Sequence, residues 1–293
     1  MRTRSLLLAL SMSLLFAPRV TALAEFGIEG IGVVSTRADE LRATRSADGR
    51  RLVWASNRDG GAGGWDLWQA TWQDARWSDP RPLPLDTAAD EVDPFLDAAG
   101  RWLYFASNRK GGHGGFDLYR AALRDDGGFG PAQNLGAAIN GADHERSPAV
   151  HDHDGSLLLA SDRAGGAGGW DLWRAHRAGD GFAAPQPMTG LNGADDELDG
   201  AWLAGGRAVV FARGKGEGRA QLQLSHCHQG QWSAAQPLAL SFNTTEGDTR
   251  AALVDASTPG ELLVSGHARA PRAGGFDLYR MRAPASDGSG DCR

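Results

Sequence analysis

Residues Ser107–Ala121 read S-N-R-K-G-G-H-G-G-F-D-L-Y-R-A. The same phrase stands at Ser56–Ala70 (S-N-R-D-G-G-A-G-G-W-D-L-W-Q-A) and at Ser161–Ala175 (S-D-R-A-G-G-A-G-G-W-D-L-W-R-A). A worn copy ends at Arg280 with G-G-F-D-L-Y-R. A more decayed one covers Ala212–His226, where Arg213 survives and the Gly-Gly pairs do not. Copies starting at 56, 107 and 161 recur about every fifty residues with no helical pattern between them, which is the signature of stacked or radially arranged β modules.

Each module reads as four strands. In the second, Glu91–Asp97 is extended, and Ala98-Ala99-Gly100 turns the chain. Arg101–Ser107 is rich in aromatic residues and reads as a strand. Lys110–Gly115 is a Gly-rich turn, and Phe116–Leu123 is a third strand. Phe129–Leu135 carries Pro131, which lacks the donor that a central ladder needs, so this fourth strand belongs outermost. The chain holds five such triplets of inner strands but only four outer strands after them. The missing one stands at the other end, in residues 26–35, where Ile28–Ser35 precedes Ala38-Asp39-Glu40 as Gly130–Ile139 precedes Ala142–Glu145. The expected fold is therefore all-β: a single β-propeller of five four-stranded blades, its ring closed by the N-terminal strand. The propeller is expected over 25–285, with repeats near 38–88, 89–142, 143–194, 195–245 and 246–284, and a polar tail at 286–293.

Ahead of the modules, Met1–Ala24 combines Arg2 and Arg4, an apolar run from Leu6 to Phe16, and Ala22-Leu23-Ala24. That is the plan of an export signal cleaved after Ala24, and the apolar run is short for a membrane span. No later stretch is long and apolar enough to insert, so no membrane insertion is expected after cleavage. The formal charge is −6, and the leader holds three Arg and no acid, so the remainder is more acidic still. With no basic cluster, nucleic acid is not an expected partner. The two cysteines, Cys227 and Cys292, either form a disulfide that clips the tail to the fourth module or stay as free thiols.

The run D-E-x-x-P at Asp90–Pro94, followed by a turn, a strand and the S-[ND]-R-x-G-G-x-G-G-[FW]-D-L-[YW] phrase, resembles the β-propeller repeat of TolB and related bacterial envelope proteins. The resemblance covers nearly the whole mature chain, with three strong copies and two weak ones. It implies a periplasmic or secreted propeller that binds other envelope components. TolB itself has a further N-terminal domain and six blades, whereas here the strands begin at once.

Residues repeated in every module generally serve the module. Asp66, Asp117, Asp171 and Asp277 follow the Gly turns and are expected to accept backbone hydrogen bonds there or to pair with Arg58, Arg109 or Arg163. The Gly runs precede strands, not helices, which excludes a phosphate loop. Glu40, Glu91, Glu145, Glu197 and Asp248 open the first strands, which in propellers line the central channel. They are either a ring of carboxylates at the channel mouth, able to hold a cation or a basic segment, or in-blade partners of arginine. Two residues on, the positions diverge: Arg42, Asp93, Ser147, Asp199 and Arg250. Strand alternation would put these on the same face as the acids. Together, Glu40, Arg42, Glu91, Asp93, Glu145, Glu197, Asp199, Asp248 and Arg250 form the candidate partner- or ion-binding mouth. The pairs His151/His153 and His226/His228 lack visible further metal ligands.

No G-x-S-x-G, H-E-x-x-H or Walker pattern occurs, and no catalytic residue, cofactor or metal is assigned. The leading expectation is a non-catalytic, monomeric interaction module for an envelope protein or a peptidoglycan-associated partner. The alternatives are an exported hydrolase or lyase acting on polysaccharide, or a carbohydrate-binding propeller, using acids at the channel mouth.

Overall fold

The structure, a computed structural model, describes residues 23–215, 218–269, 271–286, 288–289 and 292. The expected leader lies outside the described residues except for its last two positions. Among the described residues there is no α-helix, and five antiparallel sheets follow one another round a ring. The innermost strands are Glu40–Arg45, Glu91–Leu96, Glu145–Val150, Asp196–Leu203 and Thr249–Val254, one for each of blades 1 to 5. They touch in a closed cycle, the first meeting the last.

Outward from each inner strand come a second and a third strand. In blade 1 these are Arg51–Ser56 and Asp66–Gln73, followed by the outer strand Arg76–Pro82. In blades 2, 3 and 4 the outer strand shrinks to Gln133–Asn134, Gln186–Pro187 and Gln236–Pro237. In blade 5 it comes from the other end of the chain: Glu25–Ile28 pairs antiparallel with Asp277–Arg282, Glu25 facing Met281 and Ile28 facing Tyr279. The closing strand is thus shorter and earlier than the expected 26–35. Gly30 and Gly32 adopt φ of +56° and +78°, and the N–H groups of Val33 and Val34 fold back onto the Gly30 carbonyl. A turn with those bonds cannot also extend a ladder, and it drops Val34 into the core beside Trp77.

The repeated phrase has a local explanation. Each Asp after the Gly run accepts two turn N–H groups: Ala62 and Gly63 on Asp66, His113 and Gly114 on Asp117, Ala167 and Gly168 on Asp171, Ala273 and Gly274 on Asp277. The second glycine pair permits close approach to the next blade. A Cβ on Gly114 would stand 2.4 Å from the Asp143 carbonyl oxygen, and one on Gly168 2.3 Å from that of Asp195. The apolar core lies between blades, not within them: Val53, Leu103, Phe105, Leu157 and Leu159 form one continuous cluster across blades 1 to 3. Most tryptophans serve this packing, with Trp54, Trp68 and Trp173 all buried.

Cys227, in the third strand of blade 4 (Ala220–His228), is bonded to Cys292. Both are buried, and Ser289 forms a parallel bridge with His228. Arg174 of blade 3 donates to the Cys292 carbonyl at 2.8 Å, so the tail is tied to two blades.

Candidate functional site

The four repeated glutamates do not face the channel mouth. Glu40, Glu91, Glu145 and Glu197 have fully buried side chains and pair within their own blades with Arg58, Arg109, Arg163 and Arg213 at 2.8–3.0 Å. Serine hydroxyls of the second strands reach Glu40, Glu91 and Glu145, and Thr36 and Thr87 donate to Glu40 and Glu91 through both N–H and O–H. Each arginine also donates to a carbonyl of the loop leading into the blade, such as Leu85 for Arg109 and Leu191 for Arg213. Arg109 lies over the Phe105 and Tyr119 rings as well. Burial pushes the carboxyls of Glu40, Glu145 and Glu197 above their ordinary range, against the opposing pull of donors and of arginine. Four members of the proposed mouth are therefore rivets of the blade.

Asp248 is not the fifth member of that set. The residue facing the second strand where Glu40 faces Ser56 is Thr249, which faces Gly266. Asp248 accepts the Ala220 N–H, as Asp90 accepts that of Trp65 and Asp196 that of Trp170, so it latches the preceding blade. Arg250 pairs with Asp248 at 2.7 Å on the upper rim, and Ala251 takes the inner position that Arg42 holds in blade 1.

The residues two beyond the glutamates do enter the channel, for a reason that alternation misses. Arg42, Asp93, Ser147, Asp199 and Ala251 all have φ between +47° and +56°. At each the ladder slips, between Leu41 and Thr44 in blade 1 and at the matching place in every other blade. This bulge turns the side chain off the glutamate's face and into the ring. Arg42 of blade 1 crosses the channel to Asp199 of blade 4 at 3.4 Å and to the Pro148 carbonyl of blade 3 at 2.9 Å. Arg146 grips Asp93 through two nitrogens at 2.9 and 3.2 Å. The Ser147 N–H donates to Asp93, and its hydroxyl to Asp199 at 2.9 Å.

Two cations and two anions thus close the channel midway with no net charge. Arg42 is fully buried, and Asp93 nearly so. Burial opposes ionisation of Asp93, but the Arg146 and Arg42 guanidiniums override it and hold the carboxyl below its ordinary range. Burial weakens the Arg42 cation, with Asp199 and Asp93 opposing that effect. The plug can hold charge in place, and both of its carboxylates are already paired with guanidiniums.

Below the plug the channel turns apolar and opens into a cavity of about 460 Å³. Every inner strand contributes to it near its end: Thr44, Leu96, Val150, Leu203 and Val254. Phe95, Trp202 and Leu253 add bulk, and the turn residues Ala47, Ala98 and Ala256 stand at its mouth. His151 is the main polar wall. Its Nδ1 lies 3.0 Å from Asp154, and its ring meets Trp202 edge-on at 5.1 Å. The size and lining are those of a small-ligand or side-chain pocket. These residues carry no repeated pattern, and only the ring brings them together; the inner strand of blade 1 ends in Thr44-Arg45, so not even an apolar strand end marks them all.

No family model matches the chain, and no curated protein does. Solved structures share its fold at low identity. TolB from Acinetobacter baumannii superposes with a TM-score of 0.50 at 11% identity, over 91% of this chain and 65% of that one. The chain therefore spans less than two thirds of that protein's length. A putative TolB from Agrobacterium tumefaciens gives 0.52 at 12%, over 86% and 80% of the two chains. An alpha-L-arabinofuranosidase from Lactobacillus brevis gives 0.60 at 11%, over 86% and 93%. The chain has the β-propeller fold that TolB proteins and arabinofuranosidases share.

Proposed function

We propose that this protein is a non-catalytic binding propeller of the bacterial envelope, acting outside the cytoplasm, which seats an apolar group of a partner in the cavity below the plug. The observation that carries the reading is the cavity itself. It is built by all five inner strands, closed above by a neutral buried network, and lined mostly by carbon. A partner that inserts an aromatic or aliphatic side chain there would bury its anchor on all sides, the arrangement in which a few residues supply most of the binding energy.

The hydrolase alternative fits the channel less well. Glycoside cleavage calls for one carboxyl that gives a proton and a second that acts as base or nucleophile. Asp93 and Asp199 both face arginines, and Asp93 is held ionised. The likeness to arabinofuranosidases supports that alternative only through the fold.

The test is affinity capture from solubilised envelope extract with residues 25–293 as bait. Ala98→Trp blocks the cavity mouth from an exposed turn, and Arg250→Ala alters the opposite rim. The expected result is one protein captured by wild type and by the Arg250 variant and lost with the Ala98 variant. Capture that survives Ala98→Trp at unchanged melting temperature would move the site away from the cavity.

A further inference from the structure

Three of the five seams between blades repeat one device, the closing seam keeps its accepting half, and the seam between blades 1 and 2 puts a carboxyl in its place. Asn140, Asn192 and Asn243 each accept the N–H of a third-strand leucine through the side-chain oxygen at 2.8–2.9 Å. Each then returns its amide N–H to the carbonyl of that same leucine (Leu118, Leu172 or Leu222) at 2.9–3.0 Å. At the closing seam the Ser35 hydroxyl takes the Leu278 N–H. Between blades 1 and 2 the place is held by Asp86. Its Oδ1 accepts the Leu67 N–H and its Oδ2 accepts the Leu83 N–H, both at 3.0 Å. An oxygen therefore stands where three other seams present a donor to the leucine carbonyl.

The surroundings are anionic. Carboxylate oxygens of Asp66 and Glu91 lie within 4.8 Å of one another and of Asp86, and both of those residues are buried. Asp66 is occupied by turn N–H groups from Ala62 and Gly63. Glu91 is held by Thr87, Ser107 and Arg109, and among the described residues Arg109 is the one cation paired into the group.

We propose that Asp86 is a neutral carboxylic acid at neutral pH, its proton on Oδ2 donated to the Leu67 carbonyl in place of the asparagine amide, so that the seam between blades 1 and 2 is a pH-sensitive latch. Three carboxylates around one arginine cannot all ionise cheaply, and the protonated acid restores the donor–acceptor pattern of the neighbouring seams. Burial pushes the Asp86 carboxyl up to about 8, with Asp66 and Glu91 adding to the shift and the Leu67 and Leu83 N–H groups opposing it. The folded value lies above the ordinary 3.8, so the folded state holds the extra proton between the two. Its stabilisation is complete below the unfolded value and is lost as pH rises towards about 8.

The experiment compares urea unfolding of the mature protein with that of Asp86→Asn from pH 5 to 9. The variant places the amide of the other seams at this position and removes the proton. The ratio of the wild-type unfolding constant to the variant's should be smallest at pH 5, already above the unfolded value. Above that, the wild-type unfolding constant should rise relative to the variant's by up to about tenfold per pH unit, levelling off beyond the folded pKa. A ¹³C-carboxyl titration should show one aspartate changing state near that same pH. A constant ratio across the range would overturn the proposal. So would calcium chloride stabilising the wild type but not the variant at pH 7, since the carboxylates would then be ionised around a cation.

Discussion

Arg42→Ala is the sharpest probe of the channel plug. The change removes a fully buried guanidinium together with its contacts to Asp199 and the Pro148 carbonyl. It leaves Asp199 buried with the Ser147 hydroxyl as its remaining donor in the plug. Breaking a buried pair by deleting one partner costs about 3–5 kcal/mol, because the other charge stays uncompensated. For a domain of this size each kcal/mol lowers the melting temperature by about 2–4 °C, so the expected fall is roughly 6–20 °C. Arg42→Met with Asp199→Leu removes both charges and refills the volume, and it should cost far less than the two single changes together, since an apolar replacement of a buried pair is often neutral. Thermal and urea unfolding of the four members of the cycle measure this directly. A melting temperature within about 2 °C of wild type for Arg42→Ala, or single costs that simply add in the double variant, would refute the view that these residues plug the channel as one network.

Two further outcomes follow from the same structure. Opening the Cys227–Cys292 bond, by reductant or by Cys292→Ser, frees a loop with a sequence separation of 65; the chain-entropy relation gives about 4 kcal/mol lost, readable as a lower urea midpoint. Asp93 has its folded pKa held below the ordinary 3.8, so its contribution is present above that value and lost as pH falls through the folded one. Asp93→Asn should therefore be less stable than wild type at pH 7, with the gap narrowing in acid; a gap that widens below pH 4 would reverse the sign of the argument.

The period of the S-[ND]-R phrase and the spare strand at the N-terminus carried the blade count and the closure, because both are properties of the chain's order. An in-blade arginine for Glu40 was one of two readings the chain left open, and Arg58, set there against the aspartate of the Gly turn, is the arginine that takes it. What the chain concealed was backbone conformation. Nothing in L-R-A, V-D-P or R-S-P marks a residue at positive φ, yet that bulge separates the face of Glu91 from that of Asp93. The worn fifth copy misled in another way: without a glutamate to align, Asp248 stood in for a position that belongs to Thr249. The lower cavity was out of reach altogether, since Leu96, Val150, Leu203 and Val254 meet only after the ring has formed.

The pairing of Glu25–Ile28 with Asp277–Arg282 sets an order of events. The strand that completes blade 5 is made first and its partner last. At about 5–20 residues per second, the N-terminal strand waits on the order of tens of seconds before its partner exists. Closing so long a loop is slow compared with forming a hairpin within a blade. The four earlier blades can therefore assemble as an open crescent, with the inner edge of blade 1 and the unfinished blade 5 exposed until the ends meet. A chain truncated before Asp277 would retain those edges indefinitely and would be expected to pair with other copies of itself.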